Sequence, residues 1–253
     1  MVNAFWMPNH NFGDHLNHYL LARLSKSGVV FTNIDEPVKK VVAIGSILGW
    51  CNEYAIAWGP GLASHSDCVN PATEIRAVRG PRSWKRAIEC GCTAPKTFGD
   101  PALLMPRVYR PIQRKTHSVG LIPHYVDQRA VFERYSGEGR EIRLIDVLDA
   151  PERVTDAIVS CDKVLSSSLH GIIVAHAYGV PAAWVSFSDK IGGDGMKYHD
   201  HFESVQCSVE GAATCSDFPS ISEMLKRAAK QLKVTPQFNP AALLAAAPFE
   251  LAI

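Results

Sequence analysis

Short runs of β-forming residues alternate with stretches of helical periodicity along this 253-residue chain, and the alternation halts once and then restarts. Strands separated by helix-length segments pack as a parallel sheet covered by helices, so this pattern restricts the fold more than any other feature. In the first half, residues 2–6 read as a strand. A loop through Gly13 follows, then a helix from about Asp14 with Leu16, Leu20 and Leu24 on one face. Residues 41–48 form an apolar run with Gly45-Ser46 as its turn, the pattern of a buried parallel strand. Further strands are expected at 54–58 and 74–78. Arg79-Gly80 then leads into a helix opening at Pro81 and stopping at Gly91, with Trp84, Ala87 and Ile88 on its buried face. Between 106 and 116 the composition turns to Pro, Arg, Gln and Lys, as in a linker. The second half restarts with strands at 117–123, 141–146, 163–166 and 182–187. Its helices are expected at 152–160, burying Val154, Ile158 and Cys161, at 169–178, and from Phe218 onward. The expectation is an α/β protein of two halves, 1–110 and 111–253, with the Ala- and Leu-rich tail packing back on the first. Open parallel sheets bind ligands at the carboxyl ends of their strands, which puts the active site in the cleft between the halves.

The bulk numbers mainly exclude. With 47% hydrophobic and 20% charged residues the chain can bury a sizeable core. A formal net charge of +1 gives no global attraction for nucleic acid or an anionic membrane. Seven cysteines, of which only Cys90 and Cys92 are close in sequence, read as reduced thiols rather than a zinc site, and no metal is expected. Met1 to Trp6 carries no basic segment followed by an apolar stretch, and no apolar run approaches the ~20 residues of a membrane-spanning helix. A cytoplasmic protein follows as the expectation, with the apolar tail from Ala241 offering a means of peripheral contact with the inner face of the membrane.

Chemistry is sought in the turns after the strands. Ser166-Ser167-Ser168-Leu169-His170-Gly171 is a strand-to-helix turn whose helix starts near Ser168. Unpaired N–H groups and the positive end of the dipole suit a phosphate or carboxylate there. His170 would add a proton donor. The plainer alternative is that Ser168 caps its own helix. Arg79 and Arg82, with Ser83 beside them, flank the start of another helix and offer guanidinium forks for an anion; surface salt bridges are the alternative. In Asn11-Phe12-Gly13-Asp14, Asp14 can be a helix cap or a carboxylate acting on a sugar hydroxyl, with Asn11 and Asn17 as polar partners. His124, after the first strand of the second half, is a further acid/base candidate. Asp100 reads as structural. Lys190 and Lys197 lie in a Gly-rich stretch that would close over an anion as a mobile flap.

In this order these pieces resemble the polysaccharide pyruvyl transferase family, the exopolysaccharide ketal pyruvyl transferases including the xanthan type above all. The matching elements are Asn11-Phe12-Gly13-Asp14, Gly45-Ser46, and Val78-Arg79-Gly80 with Ser83. Gly99-Asp100-Pro101, Ile122-Pro123-His124-Tyr125 and Ser167-Ser168-Leu169-His170-Gly171 follow, with Lys197 after them. The resemblance implies two Rossmann-like halves arranged as in GT-B glycosyltransferases, the first on the acceptor side and the second on the donor side. It implies phosphoenolpyruvate as donor substrate, no cofactor, and a pyruvate ketal bridging two sugar hydroxyls. The acceptor implied is a lipid-linked oligosaccharide. His170 would be general acid or phosphate ligand, and Asp14 or His124 the base. Ser167, Ser168, Leu169 and Gly171 would form the donor turn with Arg79. Many members carry Arg immediately before the Leu-His-Gly, where this chain has Ser168, so a basic contact is expected instead from Arg82, Lys190 or Lys197. Two other readings stand beside this one. A nucleotide-sugar glycosyltransferase would need an acidic residue late in the second half, where Glu203 is the candidate. A non-catalytic scaffold of a polysaccharide assembly complex is the other.

Overall fold

In the computed structural model, whose described residues are 1–9, 11–112 and 114–252, the first half runs β1 (Val2–Phe5), α1 (Phe12–Leu24), β2 (Val29–Phe31), β3 (Lys40–Val42), β4 (Ala55–Trp58), β5 (Glu74–Ala77), α2 (Pro81–Glu89) and α3 (Met105–Val108). The second half runs β6 (His117–Ile122), α4 (Gln128–Tyr135), β7 (Ile142–Leu144), α5 (Pro151–Val159), β8 (Cys161–Ser166), α6 (Leu169–Ala177), β9 (Ala182–Ser186), α7 (Met196–Ser204), β10 (Ala213–Thr214), α8 (Ile221–Arg227) and α9 (Pro240–Ala245). The strands form two five-stranded sheets, β2-β1-β3-β4-β5 and β10-β9-β8-β6-β7. Read from its β7 end, the second sheet repeats the order of the first: second strand, first, third, fourth, fifth. The direction of winding reverses between β1 and β3 and again between β6 and β8, and such switch points open a crevice at the carboxyl ends.

The pairing between these strands is parallel, with Ala4 opposite Val41 in the first sheet and Leu121 opposite Leu165 in the second. β3 is buried throughout, as a strand covered on both faces must be. It is shorter than the apolar run suggests. The chain leaves the sheet after Val42 because the side-chain amide of Asn17, on α1, takes a strand's place: it accepts from the Ile44 N–H at 2.9 Å and donates to the Ile44 carbonyl at 3.0 Å. Gly45, at φ +129, then turns the backbone toward Ser46.

Leu16, Leu20 and Leu24 of α1 are buried, as their spacing predicts, in a hydrophobic cluster that runs without a break through both halves. Ala4, Phe12 and Trp58 share it with Ile122, Val164 and Ile173. The tail returns to the first half. Trp58 Nε1 donates to the Leu243 carbonyl at 2.8 Å, Phe249 meets the Trp58 ring edge-on, and Lys26 pairs with Glu250. Among the described residues no helix is long and apolar enough to cross a membrane.

Several local expectations are corrected. Ile88 is 41% exposed; Ala87 is buried and Trp84 partly buried as expected, and Ser83 joins them on the buried face of α2. Cys161 belongs to β8 rather than to the helix before it. The last long helix starts at Ile221, after Phe218 takes a positive φ of 47. Unforeseen were β2 and β10, short strands next to one neighbour each, and α4, where only Val131 and Tyr135 are buried. The Gly-rich stretch expected to be a flap ends instead in α7, whose buried Met196, Asp200 and Phe202 anchor it.

Candidate active site

A cavity of about 210 Å³ lies where the loops after β1, β3, β6 and β8 meet, at the switch points of both sheets. Asn9, Asn11 and Asp14 line it from the first loop and Gly45, Ser46 and Ile47 from the second. His124 and Tyr125 come from the third, and Ser168, Leu169 and His170 from the fourth, with Val147 and Lys197 completing the wall.

Two helices begin at this cavity, and they end differently. α1 is capped by Asn11, whose side chain accepts from the Asp14 N–H at 3.2 Å. Asp14 is therefore not the cap; it sits in the first turn with its carboxylate free for other partners, and Asn11 Nδ2 donates to it at 2.5 Å. α6 has no side-chain cap at all. Ser166 Oγ donates to the carbonyls of Ile122 and Ser168 and accepts from the Ser168 N–H at 3.0 Å, and Ser167 Oγ accepts from the His124 N–H at 2.8 Å. The Ser168 side chain makes no capping bond, so the N–H groups from Leu169 to Gly171, which by helix geometry lack intrahelical acceptors, receive no oxygen from the cap residue. Gly171 serves packing rather than ligand approach, since a Cβ there would lie 2.7 Å from Ser166 Oγ and 2.9 Å from Ile122 Cγ2.

Desolvation sets the charge states of the cavity. Burial pushes the Asp14 carboxyl up to about 6, against opposing pulls from His170 and the Asn11 hydrogen bond. It brings the Lys197 ammonium down to about 8, with help from the nearby Arg79 charge. His124 falls to about 4 through burial and the neighbouring Lys197 and His170, and so is neutral near pH 7. A low-dielectric cavity holding a lysine and an uncapped helix start is a place for an anion.

Arg79, Arg82 and Ser83 gather around a carboxylate, but it is the protein's own. Asp200 of α7 accepts from Arg79 Nε at 3.1 Å, from Ser83 Oγ at 2.6 Å, and from the backbone N–H groups of Arg82 and Ser83 at 2.9 and 3.0 Å. The cap residue of α2, Gly80, has no side chain to offer, and Asp200 takes its place from the other half of the chain. Arg79 is fully buried; its remaining N–H groups hold the Leu62 carbonyl and Ser46 Oγ, so it stands directly behind the cavity wall and fixes Ser46. Arg82 turns to Glu203 at 2.7 Å. Asn17 is occupied with Ile44 as described. Lys190 is exposed and does not line this cavity; its neighbours Asp189 and Ile191 line a second one of about 270 Å³, together with Trp184, Ser188, Gly193 and Lys197. Of the three cations expected to stand in for the missing arginine at Ser168, Lys197 is the one that lines the same cavity as Ser168.

One carboxylate, Asp200, has no place in the sequence reading. Asp200 could have been found from its spacing, four residues after Met196 on one helical face, where a charged residue on a buried stripe needs a partner. Asp100 is structural as expected, its Oδ1 accepting from the Ala102 N–H at 2.9 Å, and its other oxygen lies 3.6 Å from His170 Nε2. The expected cysteine proximity also changes: Cys90 Sγ lies 2.9 Å from Cys68 Sγ.

The fold and cavity thus define an α/β protein with paired doubly wound sheets and a desolvated pocket, holding both Lys197 and Asp14, lined by loops at the switch points of both sheets. The family model for polysaccharide pyruvyl transferase matches residues 11–189, and the chain belongs to that family. An uncharacterized protein of Acanthamoeba polyphaga mimivirus is 30% identical over 210 residues, covering 78% of this chain and 71% of that protein. The succinoglycan biosynthesis protein ExoV of Rhizobium meliloti is 26% identical over 210 residues, 79% of this chain and 63% of its own length.

Proposed function

We propose that this protein transfers the enolpyruvyl unit of phosphoenolpyruvate onto two hydroxyls of one sugar in an exopolysaccharide repeat unit, forming a pyruvate ketal. The observation that carries this reading is the single cavity that combines the uncapped start of α6, Lys197 and His170 on one side with Asp14 and its asparagines on the other. Phosphoenolpyruvate brings a phosphate and a carboxylate, and the helix start and Lys197 are two anion-binding elements suited to them. The donor then lies against the second half, and the acceptor sugar against the loops of the first, in a cleft of GT-B-like arrangement.

The reaction needs a proton on the methylene carbon, attack of one hydroxyl oxygen on C2, and displacement of phosphate from C2 by the second hydroxyl. Of the two hydroxyl protons, one is balanced by the proton gained at the methyl carbon and the other by the phosphate released. His170 delivers the proton to carbon. Asp14 is the better base of the two candidates, because general-base catalysis favours a pKa near the working pH and its value of about 6 is closer than the about 4 of His124. His124 remains as a neutral hydrogen-bonding partner for the substrate. No cofactor enters this scheme, and full rate in EDTA is expected.

Mass spectrometry of candidate oligosaccharides after incubation with phosphoenolpyruvate tests the proposal. The expected product gains one pyruvate ketal, and His170→Gln makes it at least ~100-fold more slowly while staying folded. Near-normal turnover in that variant would remove His170 from its role. A lipid-linked oligosaccharide at the inner face of the membrane is the acceptor to try first, as the resemblance to ketal pyruvyl transferases suggests. Ser168 in place of the family's usual arginine favours one other reading, a non-catalytic scaffold. That reading predicts binding of phosphoenolpyruvate without phosphate release in the presence of acceptor. The glycosyltransferase reading is weakened, because Glu203, its acidic candidate, is engaged by Arg82. Stabilisation by nucleotide sugars rather than phosphoenolpyruvate in a thermal-shift panel would restore it.

A further inference from the structure

Asp100 and His170 come from opposite halves of the chain, yet each leaves one buried atom without a hydrogen-bond partner, and the two atoms are neighbours. Asp100 is fully buried. Its Oδ1 caps the 3-10 turn at Pro101–Leu104 through the Ala102 N–H, whereas Oδ2 has no partner. His170 Nε2, also buried and also without a partner, lies 3.6 Å from that oxygen. A buried carboxylate oxygen facing no donor is costly, and the imidazole N–H is the donor within reach. Distances of this kind are commonly long before substrate binds and shorten when charge develops on the ring.

The surroundings leave little freedom for another arrangement. The Gly99-Asp100-Pro101 turn is clamped: the Gly99 N–H donates to the carbonyls of Val78 and Arg79, and Pro101 fills the space beside Gly59, where a Cβ would come within 2.3 Å of its Cδ. The ring also packs closely against α1, where a Cβ at Gly13 would lie 2.1 Å from His170 Nδ1 and 2.5 Å from its Cε1. The charged and titratable groups that act on this ring are Asp14 from α1, Asp100 from the turn before the 3-10 helix, His124 from the loop after β6, and His201 from α7.

We infer that Asp100 is a positioning residue: its free oxygen accepts the Nε2 proton of His170, holds the ring in that tautomer, and directs Nδ1 toward Asp14 and the cavity. When Nδ1 takes up a proton, the carboxylate stabilises the imidazolium that delivers it; the proton is then given to the substrate and the ring returns to its neutral form. The inference rests on the reading of His170 as the proton donor, but the placement of its proton is testable apart from turnover.

The test is nitrogen NMR of the chain labelled in its histidine rings, with the His170 signals identified by their loss in His170→Gln. In the unaltered protein at neutral pH the ring proton is expected on Nε2. Asp100→Asn keeps an oxygen for the Ala102 N–H but turns an amide N–H₂ toward Nε2. The proton should then move to Nδ1, with turnover falling ~100-fold or more and the KM for phosphoenolpyruvate little changed. A proton found on Nδ1 in the unaltered protein would overturn the inference. So would an unchanged tautomer, or unchanged turnover, in a folded Asp100→Asn. If that variant fails to fold, the unaltered protein's own spectrum still decides. If no acceptor is ever pyruvylated, the proposed function falls while the tautomer result for Asp100 stands.

Discussion

Asp14 and Lys197 line one cavity, and burial moves their charges toward neutrality from opposite sides, the carboxyl up to about 6 and the ammonium down to about 8. For the proposed reaction Asp14 must be ionised to accept a hydroxyl proton, and Lys197 must be charged to hold the donor. The kcat/KM for phosphoenolpyruvate should therefore rise through about pH 6 as Asp14 loses its proton and fall through about pH 8 as Lys197 loses its charge. Initial rates of phosphate release across the neutral range would show this bell, and a profile flat through pH 8 would remove the lysine from donor binding. The same assignment separates the two lysines of the Gly-rich stretch. Losing a charge-assisted hydrogen bond costs about 1.5–3 kcal/mol. Lys197→Met should thus raise the phosphoenolpyruvate KM roughly 10–100-fold, whereas Lys190→Met, exposed and outside the cavity lining, should leave it unchanged.

The start of α2 and the middle of α7 form a joint between the halves of the chain, since an element whose own cap is glycine receives its capping carboxylate from the other. Asp200 accepts four hydrogen bonds there, and both it and Arg79 are without solvent exposure. Removing one partner of a buried ion pair leaves the other uncompensated and costs about 3–5 kcal/mol, well beyond the value of an exposed pair. Asp200→Ala should lose stability on that scale in urea denaturation. It should also loosen Ser46, which Arg79 holds at the cavity wall. A loss below about 1 kcal/mol would mean that the joint is solvated and that Arg79 is free for other work. The unexpected helix α7 matters for the same reason: it carries Lys197 on a rooted element, so the lysine meets the cavity without a flap having to close.

Across the whole molecule the two sheets repeat one strand order and share one hydrophobic cluster, so the halves fold against each other rather than hanging on a linker. Within that shared interior His176 Nδ1 and His201 Nε2 lie 3.0 Å apart. Burial lowers His176 to about 4 and takes His201 well below the ordinary value. In the unfolded chain these rings titrate near 6.5. Between about pH 6.5 and 4 the unfolded state therefore binds protons that the folded state refuses, and stability is lost as the pH falls through that window. His124, also at about 4, adds to the loss, while Asp14 opposes it by taking up a proton near 6 only when folded. Denaturation midpoints measured from pH 7 downward should fall steadily toward about pH 4. An unchanged midpoint at pH 5 would place both rings in water.

What could be read from the residues themselves was whatever depends on local spacing. The strand and helix alternation, the Leu16-Leu20-Leu24 stripe, the Pro81 start and the turn before Leu169-His170 all follow from periodicity and helix-end chemistry, and they emerged close to their expected positions. The short strands β2 and β10 at the ends of their sheets were not legible, because so few positions carry no period. The cavity's roles were legible only in part. His170, Asp14, His124, Ser168 and Lys197 were named from their turns, and they line one space. Which charges remain for a ligand was decided by long-range partners that spacing cannot reveal. Asp200 occupies Arg79 and Ser83 from more than a hundred positions away, Glu203 takes Arg82, and Asn11 relieves Asp14 of the cap. A charged side chain announces its type in the sequence, but the partner that neutralises it is chosen by the tertiary fold.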